Sequence, residues 1–203
     1  MLFRAAGVRR HHAEMGEIAE RYRRRAQAFE WKVAAVQPDQ WDNQSPCAKW
    51  TARDVVDHVV MMHEVMLVPV GHKLEPAEDP LTAFQEARAA VEDVLDDPVL
   101  ALTETATPVG RMTAEQHIDQ VVSDDLVLHG WDLARATRQD ETMDPVDIER
   151  LWAAAVAIPP DLMEKYRTPG AFGEGIEVYG NEVPVPPDAP LQDRLLGLLG
   201  REP

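Results

Sequence analysis

The chain contains a single cysteine, Cys47, among its 203 residues. One cysteine excludes an intramolecular disulfide and any zinc site built from several thiolates. Such sparing use of cysteine is typical of the reducing cytoplasm, where we place the protein. The sequence also lacks an apolar run of the roughly 20 residues that a membrane span needs. The N-terminal segment MLFRAAGVRRHHAE has no apolar stretch after its arginines, so it does not read as a secretion signal. We expect no membrane partner.

Basic residues are scarce, with 20 Lys and Arg against 36 Asp and Glu and a net charge of -16. Binding to phosphates needs clustered Lys and Arg, so we expect no nucleic-acid partner. One basic cluster exists, RYRRR at residues 21–25. It covers a single helical turn, and we interpret it as a solvated helix face. Hydrophobic residues make up 45% of the chain, which is enough for a globular core.

Hydrophobic residues recur at three- and four-residue steps in four long segments, and this spacing predicts amphipathic helices. Two of these helices are predicted to begin at threonine caps, Thr51 and Thr113. The stretch before Thr113 is rich in β-formers and turn residues, which predicts a connection or a short pair of strands. Shorter helices are expected towards the C-terminus. The predicted long helices cover residues 15–36, 51–68, 79–97 and 112–137; the shorter ones cover residues 145–157 and 160–167 and the segment LQDRLLGLLG.

These elements predict an all-α fold, a four-helix bundle with short additional helices and an irregular C-terminal segment rich in proline and glycine. The length favours a single domain over residues 1–203. Within it we expect a flexible N-terminal extension over residues 1–14 and a C-terminal tail over residues 168–203. Gly130 interrupts the fourth helix at a cost of about 1 kcal/mol relative to alanine, which predicts close packing at that position.

Asp125 and His129 lie four residues apart on the inward face of the predicted fourth helix. This spacing brings two side chains to about 5–6 Å at Cβ, close enough to bind one ion. His58 faces the core from the second helix and would complete a set of two histidines and one carboxylate, which suits Zn²⁺, Ni²⁺ or Fe²⁺. His63 lies roughly 140° around the helix from His58, so those two histidines cannot share a metal. The spacing alone leaves a second interpretation open, in which these polar side chains are hydrogen-bonded inside the bundle.

Two further residues each carry two interpretations. The Cys47 thiol could be a nucleophile if a histidine or a helix start lowered its pKa, or it could be a buried structural residue. Asp132 could accept a hydrogen bond from His129 and orient its ring, or it could pair with Arg135 three residues on.

Three segments carry a family resemblance: WDNQSPCAKWTARDVVDHVV, DLVLHGWDLARATRQD and the ending VPPDAPLQDRLLGLLGREP. They resemble an actinobacterial family of metal-binding proteins related to the N-terminal domain of mycothiol-dependent maleylpyruvate isomerase, within the DinB-like superfamily. The resemblance covers nearly the whole chain beyond about residue 15. It implies a DinB-like four-helix bundle with one divalent metal, and by motif the three ligands fall on His58, Asp125 and His129. The isomerase itself has glutamate as its acidic ligand, where this chain has Asp125.

In the related isomerase the metal lies beside a bound low-molecular-weight thiol, and a second domain contributes to catalysis. Residues after 168 are too few and too rich in proline to replace that domain, so we do not transfer the isomerase reaction. The resemblance implies instead a thiol-dependent transferase, or an isomerase-like enzyme, that acts on a small electrophile with zinc, nickel or iron and with mycothiol. A metal-dependent hydrolase and a non-catalytic metal- or ligand-binding bundle are the alternatives. DinB-like bundles also form homodimers through helix faces, and we expect the same arrangement here.

Overall fold

The structure, a computed structural model, describes residues 2–107, 110–171 and 178–203, with side chains described from residue 16 onwards. The chain divides into two compact units, Met1–Asp140 and Glu141–Pro203. The expected single domain over residues 1–203 stays a prediction. The helices and the hairpin of the first unit are α1 (Leu2–Ala35), α2 (Ala52–Leu67), α3 (Pro80–Asp96), α4 (Pro98–Ala101), β1 (Glu104–Thr107), β2 (Gly110–Thr113), α5 (Ala114–Gln120) and α6 (Val122–Thr137).

Four helices of the first unit form a closed bundle. Helix α1 packs against α3 and α6, and α2 packs against the same two helices, so the order around the bundle is α1–α3–α2–α6. Apolar side chains from all four helices fill the interior, because each helix presents one hydrophobic face. The predicted helical bundle is confirmed, and the antiparallel pair β1–β2 is the predicted short pair of strands. The largest side chains of the core include Tyr22, Phe29, Leu67, Phe84, Ile118 and Leu133.

Both predicted threonine caps are present. The Thr51 hydroxyl accepts a hydrogen bond from the backbone N–H of Asp54, and the Asp54 side chain accepts one from the backbone N–H of Thr51. Thr113 and Gln116 form the same reciprocal pair at the start of α5. Each pair satisfies backbone donors that the first turn of a helix leaves without a partner, and this fixes where α2 and α5 begin.

The predicted fourth helix is not continuous. It divides into α5 and α6 at Val121, which has φ -112° and ψ -78°. The division gives α6 its own N-terminus, with Asp124 and Asp125 in the first turn, where the helix dipole favours negative charge. Helix α1 also starts earlier than the expected position near Met15, since the helix runs from Leu2.

The basic cluster at residues 21–25 pairs with acidic residues of the bundle. Arg21 donates two hydrogen bonds to the Asp119 carboxylate, at 2.8 and 2.9 Å. Arg25 donates to the Ser123 hydroxyl at 2.9 Å and to the Asp124 carboxylate at 2.7 Å. The interpretation as a solvated face is wrong for Arg25, which is only 2% exposed. These ion pairs tie α1 to both sides of the division at Val121, which holds the first turn of α6 in place.

The second unit contains α7 (Pro145–Val156), α8 (Pro160–Tyr166) and α9 (Leu191–Leu198), close to the predicted bounds. Helices α7 and α9 pack together, with Leu151 and Leu195 among their buried side chains. Residues 178–190 form no helix or strand, as predicted for the proline-rich tail, while residues 172–177 lie outside the described residues. In the described parts of the chain, no helix has the length and apolar character that crossing a membrane requires.

Candidate metal centre

Helices α2 and α6 bring the three predicted ligand residues together. His58 lies in the second turn of α2, Asp125 lies in the first turn of α6, and His129 follows one turn further along α6. One ligand atom from each residue lies within 4.8 Å of the other two. The Nε2 atom of His58 is 3.8 Å from the Oδ2 atom of Asp125, and the two imidazole rings are 4.9 Å apart between centroids.

The donor atoms fit a divalent ion. The 3.8 Å separation between His58 and Asp125 is too long for a hydrogen bond. Two ligand atoms that bind one tetrahedral ion at about 2.1 Å lie roughly 3.4 Å from each other, so the observed separation is close to the one an ion needs. Two imidazole nitrogens and one carboxylate oxygen form a donor set that suits Zn²⁺, Ni²⁺ and Fe²⁺. That His58, Asp125 and His129 hold an ion stays a prediction.

Asp132 lies behind His129 and orients its ring. The Nδ1 atom of His129 is 2.9 Å from the Oδ2 atom of Asp132, whose side chain is fully buried. A carboxylate can only accept, so Nδ1–H of His129 donates this hydrogen bond. In the neutral ring the lone pair is then on Nε2, the nitrogen that a metal would use. Of the two interpretations of Asp132, the geometry supports the orienting acceptor.

Cys47 reaches the same carboxylate from the loop before α2. Its Sγ atom is 3.3 Å from Oδ2 of Asp132, and the half-buried thiol donates to that oxygen. Cys47, His129 and Asp132 also lie close enough to hold an ion between them. We interpret them instead as a hydrogen-bonded chain, because His129 and Asp132 are already at hydrogen-bonding distance and Asp132 is buried.

Trp50 covers both histidines. Its ring centroid lies 4.6 Å from that of His58 and 5.8 Å from that of His129. The periodicity of the sequence does not indicate which side chains a loop residue contacts, so the position of Trp50 beside the site was missed. The motif P-C-x-x-W-T carries the available signal, since it places Cys47 and Trp50 at fixed offsets before the helix that bears His58.

The site is open on one side. The side chains of His58 and Asp125 are 20% and 26% exposed, while that of His129 is 9% exposed. A small molecule can therefore approach from the side of His58 and Asp125, and the bundle protects the opposite side.

His63, five residues after His58, belongs to the core and not to the site. Its Nδ1–H donates to the backbone oxygen of Val59 at 2.7 Å, and the Tyr22 hydroxyl donates to its Nε2 at 2.9 Å. Burial lowers the pKa of His63 to about 4, against smaller opposing effects of the Val59 hydrogen bond and the Asp125 charge. The prediction that His58 and His63 do not share a metal agrees with this arrangement.

Comparisons with known proteins place these residues in a family context. A family profile described as the mycothiol maleylpyruvate isomerase N-terminal domain matches residues 22–76, which include Cys47, Trp50 and His58. Two uncharacterized proteins of Mycobacterium tuberculosis, one from strain CDC 1551 and one from strain H37Rv, are each 30% identical to the chain over 184 residues. The aligned region covers 89% of this chain and 95% of each relative. No solved structure matches the chain significantly. The chain belongs to the family of the mycothiol maleylpyruvate isomerase N-terminal domain, whose DinB-like helical members typically bind a metal.

Proposed function

We propose that the protein binds one divalent metal ion through His58, Asp125 and His129. We further propose that it is a thiol-dependent transferase that acts on a small electrophile. The observation that carries the proposal is the convergence of these three side chains from α2 and α6, with the His129 ring oriented by Asp132. Metal-binding histidines in proteins commonly donate their other ring N–H to a carboxylate, which orients the imidazole.

A divalent ion with three protein ligands retains a position for a thiol or a water molecule and lowers the pKa of the group that binds there. The residues of the chain prepare that position. His129 presents Nε2 because Asp132 holds its Nδ1–H, and the Trp50 ring lies against the two imidazole rings. The partial exposure of His58 and Asp125 leaves a path for a thiol and its electrophile.

Mycothiol is the thiol that we propose, in keeping with the family. The chain's own thiol, on Cys47, donates to Asp132 on the Nδ1 side of His129, so the reacting sulfur has to arrive with a separate molecule. Zinc is the metal we expect first, with nickel and iron as the other ions this donor set suits.

Metal content measured by elemental analysis tests the site. We expect about one equivalent of a divalent metal in native protein purified without a His-tag, and none in the His129→Ala variant. Thermal melts of both proteins verify that the variant is folded. An absence of metal in the native protein, even after reconstitution with Zn²⁺, Ni²⁺ and Fe²⁺, would refute the proposed centre.

Consumption of a chromogenic electrophile tests the reaction. We expect turnover that needs both the metal-loaded protein and mycothiol, and that is lost in the metal-free protein and in His129→Ala. Ester hydrolysis without any thiol would favour a metal-dependent hydrolase. A fully loaded protein that turns over neither substrate would indicate a non-catalytic metal-binding bundle.

A further inference from the structure

We propose that Cys47 is a positioning residue for the metal centre: its thiol holds the Asp132 carboxylate in the orientation that fixes the His129 ring. The inference rests on the metal site proposed above, and it assigns the one cysteine a role in building that site. Two donors from different parts of the chain meet at one oxygen, since Oδ2 of Asp132 accepts from Nδ1–H of His129 at 2.9 Å and from the Cys47 thiol at 3.3 Å.

A second donor on Oδ2 helps to fix the orientation of the Asp132 carboxylate. Rotation of an aspartate side chain about its last torsion is soft, so the carboxylate plane is set mainly by its hydrogen-bonding partners. Asp132 is fully buried, where water does not supply these partners freely. A donor on the same oxygen that His129 uses limits the rotation of the carboxylate and, through it, the direction in which Nε2 of His129 points.

Cys47 is itself fixed by the segment around it, residues 44–51, which we call the site loop. The backbone oxygen of Cys47 accepts hydrogen bonds from the backbone N–H of Trp50 at 3.1 Å and from the side chains of Gln44 and Ser45 at 3.2 and 3.3 Å. The backbone N–H of Ser45 donates to the backbone oxygen of Trp50 at 2.9 Å, which closes the loop. A thiol on a loop held in this way can fix the position of its acceptor.

The site loop touches the centre at two points. Cys47 contacts the carboxylate behind His129, and the ring of Trp50, three residues later, lies tilted against the rings of His58 and His129. One short loop therefore restricts the rings of both histidine ligands, which lie on different helices. Pre-organisation of this kind lowers the cost of bringing the ligands to an ion.

A different role for Cys47 makes opposite predictions. As a thiolate ligand together with His129 and Asp132, Cys47 would require the Nδ1 atom of His129 to give up its proton and its hydrogen bond to Asp132. Serine distinguishes the two roles. A serine hydroxyl donates a hydrogen bond well, so it preserves the positioning role, but it replaces a thiolate ligand poorly.

The experiment compares Zn²⁺ dissociation constants, by chelator competition, for the wild type, Cys47→Ala, Cys47→Ser and His129→Ala. We expect Cys47→Ala to bind Zn²⁺ up to about 10-fold more weakly, because Cys47 acts on the ligand through Asp132, and the loss of a direct partner of a metal ligand costs at least that much. Cys47→Ser should stay within about 3-fold of the wild type, and His129→Ala should lose more than the roughly 100-fold upper limit for partners of ligands, since it removes a ligand outright. Thr137→Val is the matched control, because it deletes a buried hydroxyl on α6 that donates to the backbone oxygen of Leu133.

The ¹⁵N chemical shifts of the His129 ring in the metal-free protein give a second measurement, independent of metal and activity. We expect the pattern of a ring protonated on Nδ1 in the wild type and in Cys47→Ser, and shifts moved towards a tautomer average in Cys47→Ala. Thermal melts verify folding, and Cys47→Val fills the volume of the thiol without donating if the alanine variant proves unstable.

Each outcome decides between the inferences. If Cys47→Ala or Cys47→Val matches the wild type in affinity and in ¹⁵N shifts, while His129→Ala loses Zn²⁺, the positioning role is wrong and the metal site stands. If Cys47→Ser binds Zn²⁺ as weakly as Cys47→Ala, Cys47 is a thiolate ligand and not a positioning residue. If His129→Ala binds Zn²⁺ as tightly as the wild type, the proposed function fails.

Discussion

Two histidines on α2, five residues apart, have different environments. His63 is buried, and both of its ring nitrogens have partners within the fold, the Val59 carbonyl and the Tyr22 hydroxyl. His58 is partly exposed, contacts the Trp50 ring, and directs Nε2 towards Asp125 at a distance beyond hydrogen bonding. Both ring nitrogens of His63 are thus hydrogen-bonded within the protein. The separation between Nε2 of His58 and Oδ2 of Asp125, in contrast, leaves space for an ion that contacts both atoms.

A second contrast separates His63 from His129. Each donates its Nδ1–H, but His63 donates to a neutral backbone oxygen and His129 donates to the Asp132 carboxylate. A carboxylate partner makes the opposite nitrogen a stronger ligand than a carbonyl partner does. We therefore propose that the same residue type serves packing where its partners are neutral and buried, and binds an ion where a carboxylate lies behind the ring and a second possible ligand lies in front of it.

Glutamine at each of the two α2 positions tests this contrast directly. We expect His58→Gln to weaken Zn²⁺ binding by more than the roughly 100-fold upper limit for partners of ligands, since a ligand is lost, and to leave the unfolding free energy nearly unchanged. We expect His63→Gln to keep Zn²⁺ affinity within about 3-fold, because no ligand is removed. It should cost about 2 kcal/mol of stability through its buried hydrogen bonds. Chelator competition and urea denaturation of the metal-free proteins measure the two effects.

Each variant is the control for the other, because the same substitution is made on the same helix. Equal losses of affinity in both would show that the binding defect comes from damage to α2. A His63→Gln protein that loses Zn²⁺ while remaining folded would contradict the assignment of His63 to the core.

Much of this contrast is readable from the sequence, and the reasons for the rest are physical. The angular separation of His58 and His63 follows from helix geometry, and the spacing of Asp125 and His129 places them on one face. The division at Val121 was missed, because the apolar periodicity continues through it and the arginines that hold it lie about 100 residues away along the chain. Contacts made by a loop depend on where the loop returns to the bundle, which periodicity does not report, so the contact of Trp50 with His58 was missed as well.

Protonation of His63 supplies the next prediction. A histidine in the unfolded chain has a pKa near 6.5, whereas burial lowers the pKa of folded His63 to about 4. Between these pH values the unfolded state binds a proton at His63 that the folded state does not. The contribution of His63 to the free energy of unfolding is therefore complete above pH 6.5 and is lost as the pH falls towards 4. At about 1.4 kcal/mol per pKa unit, the loss amounts to about 3 kcal/mol.

Urea denaturation of metal-free wild type and His63→Gln across pH 4–7.5 measures this contribution. As the pH falls from 6.5 to 4, the wild type should lose about 3 kcal/mol of unfolding free energy relative to His63→Gln, so that the variant becomes the more stable protein near pH 4. Protonation of the acidic side chains affects both proteins and cancels in the difference. A difference that stays constant over this window would show that His63 is not held neutral by the core.

Asp132→Asn removes the charge behind His129 and gives its ring a neutral acceptor, like the one His63 has. We expect Zn²⁺ affinity to fall by about 10-fold or somewhat more, the cost commonly found for the partner of a metal-binding histidine. Chelator competition measures the change, and an Asp119→Asn variant is the control, since that aspartate pairs with Arg21 instead. An unchanged affinity in Asp132→Asn would mean that the carboxylate matters for packing alone.

Gly130→Ala gives the smallest expected effect and separates the bundle from the site that it carries. A Cβ atom at Gly130 would meet Phe29 Cδ2 at 3.7 Å and Lys32 Cδ at 3.8 Å, which are ordinary contact distances. Helix α1 does pack near this glycine, as the sequence predicts, but it leaves room for a methyl group. Alanine is favoured over glycine in a helix interior, so we expect about 0.5–1 kcal/mol of added stability with unchanged Zn²⁺ affinity. Urea denaturation and chelator competition test both statements, and a loss of affinity would show that the bundle tolerates less change beside His129 than these distances indicate.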